Sequence, residues 1–132
     1  MRISVDTNVL LRVVVPGDET QQMQAIEALR AADSVAISVH VLCELAWVME
    51  RAYNAPRAEI AAAIRLFMKT SNVVLNLPAV EAGLVLLDAG GDFADGVIAY
   101  DGMRLGGETF VSFDRKAVKL LAQRGFSAQL LG

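Results

Sequence analysis

Cys43 is the only cysteine, which excludes an internal disulfide and any thiolate cage for zinc. Its plainest reading is a small buried hydrophobe. His40 is the only histidine; placed at the start of a helix beside an apolar face, it reads as structural. Charge is also sparse, at 20% of residues. Even so, the longest stretches free of Asp, Glu, Lys and Arg, Ser34 to Cys43 and Thr70 to Val80, fall far short of the roughly 20 apolar residues that span a bilayer. No membrane association is expected. Met1-Arg2-Ile3-Ser4-Val5-Asp6 reaches an acid before a signal-type apolar region can form, so no secretory signal is expected and the cytoplasm is the expected location. Repeats, linkers and low-complexity tracts are missing as well.

What is present is apolar. Hydrophobic residues make up 55% of the 132 residues, enough for one sizeable core and with surplus that points to a partner. The expected organisation is one domain over residues 1–132. The net charge of -3 looks wrong for a protein that binds nucleic acid, whose affinity comes largely from neutralised phosphates. Location outweighs the sum, however. If Asp6, Glu44, Asp92, Asp95 and Asp114 gather at one place, the other 10 of the 15 acids face 12 Lys and Arg, and bound cations would reverse the local field.

Strands and helices alternate along the chain. Arg2 to Val5 reads as a strand that stops at Asp6-Thr7-Asn8, three residues able to cap a helix over Val9 to Val14. Pro16-Gly17-Asp18 interrupts, and Gln21 to Ala32 resumes with Met23, Ile26, Ala28 and Leu29 near a 3.6-residue period. Val35 to Ile37 predicts a second strand, with Ser38 capping a helix over Val39 to Tyr53. A helix over Arg57 to Lys69, a strand at Val73 to Leu75 and a helix from Pro78 to Asp88 follow. Gly90-Gly91 turns the chain into Asp92-Phe93-Ala94-Asp95 and a helix to Leu105. Thr109 to Phe113 is a strand, Arg115 to Arg124 a helix, and Ser127 to Leu130 a final edge strand. Strands separated by helices predict a parallel sheet of four to five strands with helices on both faces, an α/β class.

In such folds ligands bind beyond the carboxyl ends of the strands. Asp6 follows the first strand directly and Asp114 follows the fourth; Asp92 and Asp95, three residues apart, can share one side of a turn at a helix start. Glu44 stands among Val41, Leu42, Cys43, Leu45, Ala46, Trp47 and Val48, where a buried charge needs compensation or a route to solvent. Several carboxylates at one place repel unless a cation joins them, and hard oxygen donors select Mg²⁺ or Mn²⁺ over zinc. Paired ions of this kind support in-line attack on phosphorus, so phosphodiester hydrolysis is the expected chemistry.

Four segments then carry a resemblance. Val5-Asp6-Thr7-Asn8-Val9-Leu10-Leu11-Arg12, Ser38 to Trp47 around Glu44, Asp92-Phe93-Ala94-Asp95-Gly96-Val97-Ile98-Ala99, and Phe110-Val111-Ser112-Phe113-Asp114-Arg115-Lys116 together resemble the PIN-domain ribonucleases, and within them the VapC-like toxins of bacterial toxin-antitoxin pairs. The resemblance implies a PIN-like three-layer α/β/α domain. It also implies an endoribonuclease in which Asp6, Glu44, Asp95 and Asp114 bind Mg²⁺ or Mn²⁺, supported by Asn8 and Ser112, with Asp92 as an accessory acid. Ser112 replaces the more usual Thr and keeps the hydroxyl. Gly96 stands where Ala is more usual, which is expected to loosen the start of its helix. The implied partners are RNA, a VapB-like antitoxin and a second copy of the chain.

Simpler readings compete at each position. Asp6, Asp92, Asp95 and Asp114 can all cap helices or complement helix dipoles. Arg12, Arg115, Lys116 and Lys119 can guide phosphate or be plain surface, and Trp47 reads as core or dimer contact rather than a base-stacking platform. Two other functions fit an Asp after the first strand: an aspartyl-phosphate protein, either phosphatase or receiver-like, and a non-catalytic metal- or protein-binding scaffold. The first is disfavoured by Asn8, where a phosphatase needs a second Asp.

Overall fold

In the computed structural model, which describes residues 1–132, the chain forms two compact units, residues 1–76 and 77–132. The first contains β1 (Arg2–Ser4), α1 (Thr7–Val14), α2 (Glu19–Ala31), β2 (Ser34–Ala36), α3 (Val39–Arg51), α4 (Arg57–Met68) and β3 (Val73–Val74). The second contains α5 (Leu77–Asp88), α6 (Phe93–Arg104), β4 (Phe110–Ser112), α7 (Arg115–Gln123) and β5 (Ala128–Leu130). Every strand pair is parallel, as helical crossovers require. The class is α/β, as expected. Hydrogen bonds group the five strands as β1-β2-β3 and β4-β5.

In the first unit the register runs Arg2↔Ser34 to Ser4↔Ala36 and Val35↔Val73 to Ala36↔Val74. Each strand is short, and a polar residue just beyond it starts the next helix. Asp6 Oδ1 accepts the Val9 amide at 3.2 Å and Ser38 Oγ accepts the Val41 amide at 3.2 Å. Because Asp6 is itself the cap, α1 begins at Thr7 rather than at Val9. Asp18 likewise accepts the Gln21 amide at 2.9 Å and extends α2 back to Glu19. The far end of α2 is closed by a residue the sequence pattern does not single out: Asn72 Nδ2 donates to the carbonyls of Leu29, at 2.8 Å, and Ala32, at 3.0 Å. Those acceptors have no partner within their helix.

Leu10, Leu11, Val35, Ile37, Leu42, Leu45, Met49, Ile60, Ile64 and Phe67 fill this unit's core. The α2 stripe expected around Met23 is corrected: Met23 is 72% exposed and the residue that α2 buries is Ala25. A small side chain brings the helix close, and Met23 falls outside the contact. Trp47 is also not core. It is 58% exposed, with the Arg51 guanidinium 5.8 Å from its ring centre on the next turn of α3, a cation–π arrangement. Cys43 is half-buried.

In the second unit β4 and β5 pair from Phe110↔Ala128 to Ser112↔Leu130. Leu86, Ala99 and Leu121 form a buried cluster, packed against by Phe110, Leu120, Phe126 and Ala128. The hairpin of α5 and α6 is unusually close. A Cβ built on Gly96 would collide with the Ala82 carbonyl oxygen and lie 2.8 Å from Gly83 Cα, while one on Gly83 would lie 2.5 Å from the Phe93 ring. Gly96 therefore does not loosen its helix; it permits the two backbones to meet. No helix in the chain is long and apolar enough to cross a membrane.

Candidate active site

Two of the predicted acids, Asp6 and Asp114, stand at helix starts beyond the carboxyl ends of strands. Asp6, two residues beyond β1, uses one carboxylate oxygen on the Val9 amide. Asp114, two residues beyond β4, does the same with Ala117 at 3.0 Å. Its own amide donates to Ser112 Oγ at 2.9 Å, so the Ser112 hydroxyl fixes the chain where Asp114 leaves the strand. The capping reading is therefore correct for both. It does not exhaust either residue, since a carboxylate has a second oxygen able to meet a cation.

Asp92 behaves differently. It occupies the cap position of α6 but makes no side-chain capping bond, so the simplest structural role for it is absent. Asp95, in the first turn of the same helix, is half-buried. Partial burial raises its carboxyl above the ordinary carboxylate range, and the negative fields of Asp92 and Asp114 raise it further. The structure thus brings Asp92, Asp95 and Asp114 within electrostatic reach of one another. The acids do not close into a cage: no group of three or more His, Cys, Asp or Glu side chains is placed to hold an ion.

In the first unit, Asp6 lies on the wall of a cleft between α1 and α2, shared with Asn8 and Arg12. Glu44 does not line that cleft. It is exposed, on the face of α3 that also presents His40 and Trp47, while Leu42, Leu45 and Met49 take the buried face. The expectation of a charge in conflict with its surroundings is resolved by solvent. The run of apolar neighbours belongs to the other side of the helix.

The donor set suits a hard divalent cation. Carboxylate oxygens dominate, the single histidine and single cysteine offer no zinc-type cage, and a cation would relieve the fields that push Asp95 upward. Sequence reasoning missed the amide side chains around Asp6. Gln21 and Gln24 lie across from Asn8 and Arg12, and Arg12 Nε donates to Gln21 Oε1 at 2.7 Å. Their spacing on α2 was legible, but not which helix they would face.

No curated protein is similar enough in sequence to be named as a relative. A family model does match, that of the PIN domain, over residues 3–121. The match runs from β1 into α7 and spans every one of the acids discussed. With parallel strands, acids at strand ends and a family match over most of its length, the chain belongs to the PIN domain family.

Proposed function

We propose that this chain is an endoribonuclease that hydrolyses RNA phosphodiester bonds, the toxin of a toxin-antitoxin pair, acting as a single PIN domain over residues 1–132. PIN domains are typically metal-dependent nucleases. The observation that carries the reading for this chain is Asp95, half-buried in the field of Asp92 and Asp114 at the end of β4. Like charges so placed disfavour one another unless a cation joins them.

Asp6, Glu44, Asp95 and Asp114 would hold Mg²⁺ or Mn²⁺, with Asp92 as an accessory acid. Bound there, such ions supply a more acidic water and charge stabilisation for in-line displacement at phosphorus. The chain's own contribution is placement. Helix caps fix Asp6 and Asp114 through one oxygen each, Ser112 fixes the backbone of Asp114, and Asn8 stands beside Asp6 on the first turn of α1. A cation there would offset the burial and the negative neighbours that raise the Asp95 carboxyl.

Surface character supports the partner assignments. Ile98, Met103 and Val111, each at least half exposed, line a cleft of about 590 Å³ with Phe110 and Phe126. Phe113 is 76% exposed beside it in sequence. Apolar clefts of this kind accept one face of an amphipathic helix, which suits a VapB-like antitoxin. Exposed Trp47 and Tyr53 on and after α3 suit contact with a second copy of the chain in a homodimer. A cytoplasmic location accords with RNA as substrate.

The test is cleavage of a labelled RNA by the purified protein with Mg²⁺ or Mn²⁺, with chelator, and in the variants Asp6→Asn and Asp95→Asn. Cleavage should require the ion and vanish in both variants, with far-ultraviolet circular dichroism unchanged. Full activity of both variants in a preparation free of contaminating nuclease would overturn the proposal.

A further inference from the structure

Besides the acids, the first unit contains a cleft that the proposed chemistry leaves unexplained. It has a volume of about 460 Å³, within the range of small-ligand pockets, and lies between α1 and α2. Its polar wall is Asp6, Asn8, Arg12, Gln21 and Gln24. Its floor is kept low by Ala25 and Ala28, at the positions on α2 where large apolar residues would close the gap between two helices.

The spacing is regular. Asn8 and Arg12 are four residues apart on α1; Gln21, Gln24, Ala25 and Ala28 follow the i, i+3, i+4, i+7 pattern that places residues on one face of α2. Arg12 is half-buried, and its Nε bond to Gln21 Oε1 at 2.7 Å holds the guanidinium in a fixed plane. A guanidinium has five N–H donors, and this bond occupies one. Both terminal nitrogens remain to grip an anion in bidentate fashion. Arg12 stands six residues beyond Asp6, roughly 9 Å along the helix axis, a reach of one to two nucleotides from that acid.

We propose that this cleft is a nucleotide-binding subsite for the single-stranded RNA flanking the scissile bond: Arg12 takes a backbone phosphate, and the amides of Gln21, Gln24 and Asn8 read the edge of the adjoining base. The assignment rests on the nuclease reading above. Amide side chains carry both donors and acceptors, matching base edges exposed in unpaired RNA. An apolar side chain from a protein partner would gain contact with Val9, Ala25 and Ala28 but bury those amides unpaired. Arg12 also answers the charge problem, since it gives an acidic protein a cation beside Asp6 that can meet a phosphate.

The experiment uses the full chain in two forms. In the Asp95→Asn background, with Mn²⁺ present, binding of a labelled single-stranded RNA is followed against salt. Arg12→Gln should weaken binding about tenfold and lower the slope of log affinity against log salt by roughly 0.7, the value for one phosphate contact on a single strand. In the otherwise native protein, Gln24→Ala should redistribute the cut sites on an RNA of randomised sequence. Gln24 is exposed, so this second variant does not threaten the fold. A native protein that cuts RNA, with salt slope and cut-site pattern unmoved by either variant, would overturn the subsite and leave the nuclease reading standing. Loss of affinity only for a co-purified protein partner would overturn it in favour of a protein-docking cleft. Failure of the native protein to cut any RNA would remove both readings.

Discussion

Gly96→Ala separates packing from propensity. Helix propensity favours the change: Ala in place of Gly inside α6 should add about 1 kcal/mol. Geometry opposes it. The new methyl would meet backbone atoms of α5, the Ala82 carbonyl and Gly83 Cα, the latter at 2.8 Å where ordinary contact begins at 3.4 Å. Backbone cannot rotate out of the way as a side chain can, so α5 and α6 must part by half an ångström or more. That in turn lifts the Phe93 ring from Gly83. Overpacking of this kind costs about 1–3 kcal/mol, with backbone obstacles at the upper end. The net expectation is destabilisation by about 1–2 kcal/mol, a Tm lower by roughly 4–10 °C in differential scanning calorimetry. Gly102→Ala in the same helix is the control, because nothing lies within 4 Å of the added atom; it should stabilise by roughly 0.4–1 kcal/mol. A Gly96→Ala protein melting at or above the parent would refute the close-approach argument. Since Gly96 directly follows Asp95, nuclease activity should fall with stability.

Further outcomes concern the acids. The folded pKa of Asp95 is raised above its unfolded value, so the folded state holds more protons across the window between the two; its contribution to stability therefore declines as pH rises through that window and is flat above it. In chelator, the stability difference between native protein and Asp95→Asn, from urea midpoints across acidic to neutral pH, should move against the native protein as pH rises; a pH-independent difference would contradict this. Adding Mg²⁺ or Mn²⁺ at about 100 times its dissociation constant should stabilise the native protein by about 2.7 kcal/mol and leave Asp95→Asn with much less, measured as a Tm shift. Asp114→Asn should keep the α7 cap and Asp114→Ala should lose about 1 kcal/mol, while both lose cleavage; equal Tm values for the two would remove the capping role.

The order of elements was readable because punctuation and periodicity are local. Every helix and strand lies within two residues of its predicted bounds, and the offsets at the starts of α1 and α2 trace to caps: Asp6 and Asp18 are not merely before their helices but start them. What could not be read depends on which face meets which. Nothing local says that Ala25 rather than Met23 is buried, that Glu44 lies on the solvent side of an apolar helix, or that Gly96 serves an approach between backbones instead of flexibility. Grouping of the strands into sets of three and two is likewise a matter of distant hydrogen bonds. The acids show the same limit. Their positions after strands were visible, but Asp92 without a capping bond and the three-acid field on Asp95 depend on how α6, β4 and α7 pack.

Capping and metal binding are not rival explanations for Asp6 and Asp114. A helix N-terminus lends roughly half a positive charge to an acid placed on it, which favours that placement without a cation. Such a residue is stable before metal arrives and still has an oxygen to offer. Asp92 and Asp95 also stand at a helix N-terminus, but Asp92 makes no capping bond and Asp95 is raised by burial and by its neighbours. In the free protein the conflict of like charges on Asp95 falls in the first turn of α6. Ion binding should relieve most there, so substitution at Asp95 should weaken metal-dependent stabilisation more than substitution at Asp114, a ranking that thermal shifts with Mn²⁺ measure directly. If Asp114→Asn abolished the metal-induced shift while Asp95→Asn retained it, the conflict would lie elsewhere and this division of labour among the acids would fail.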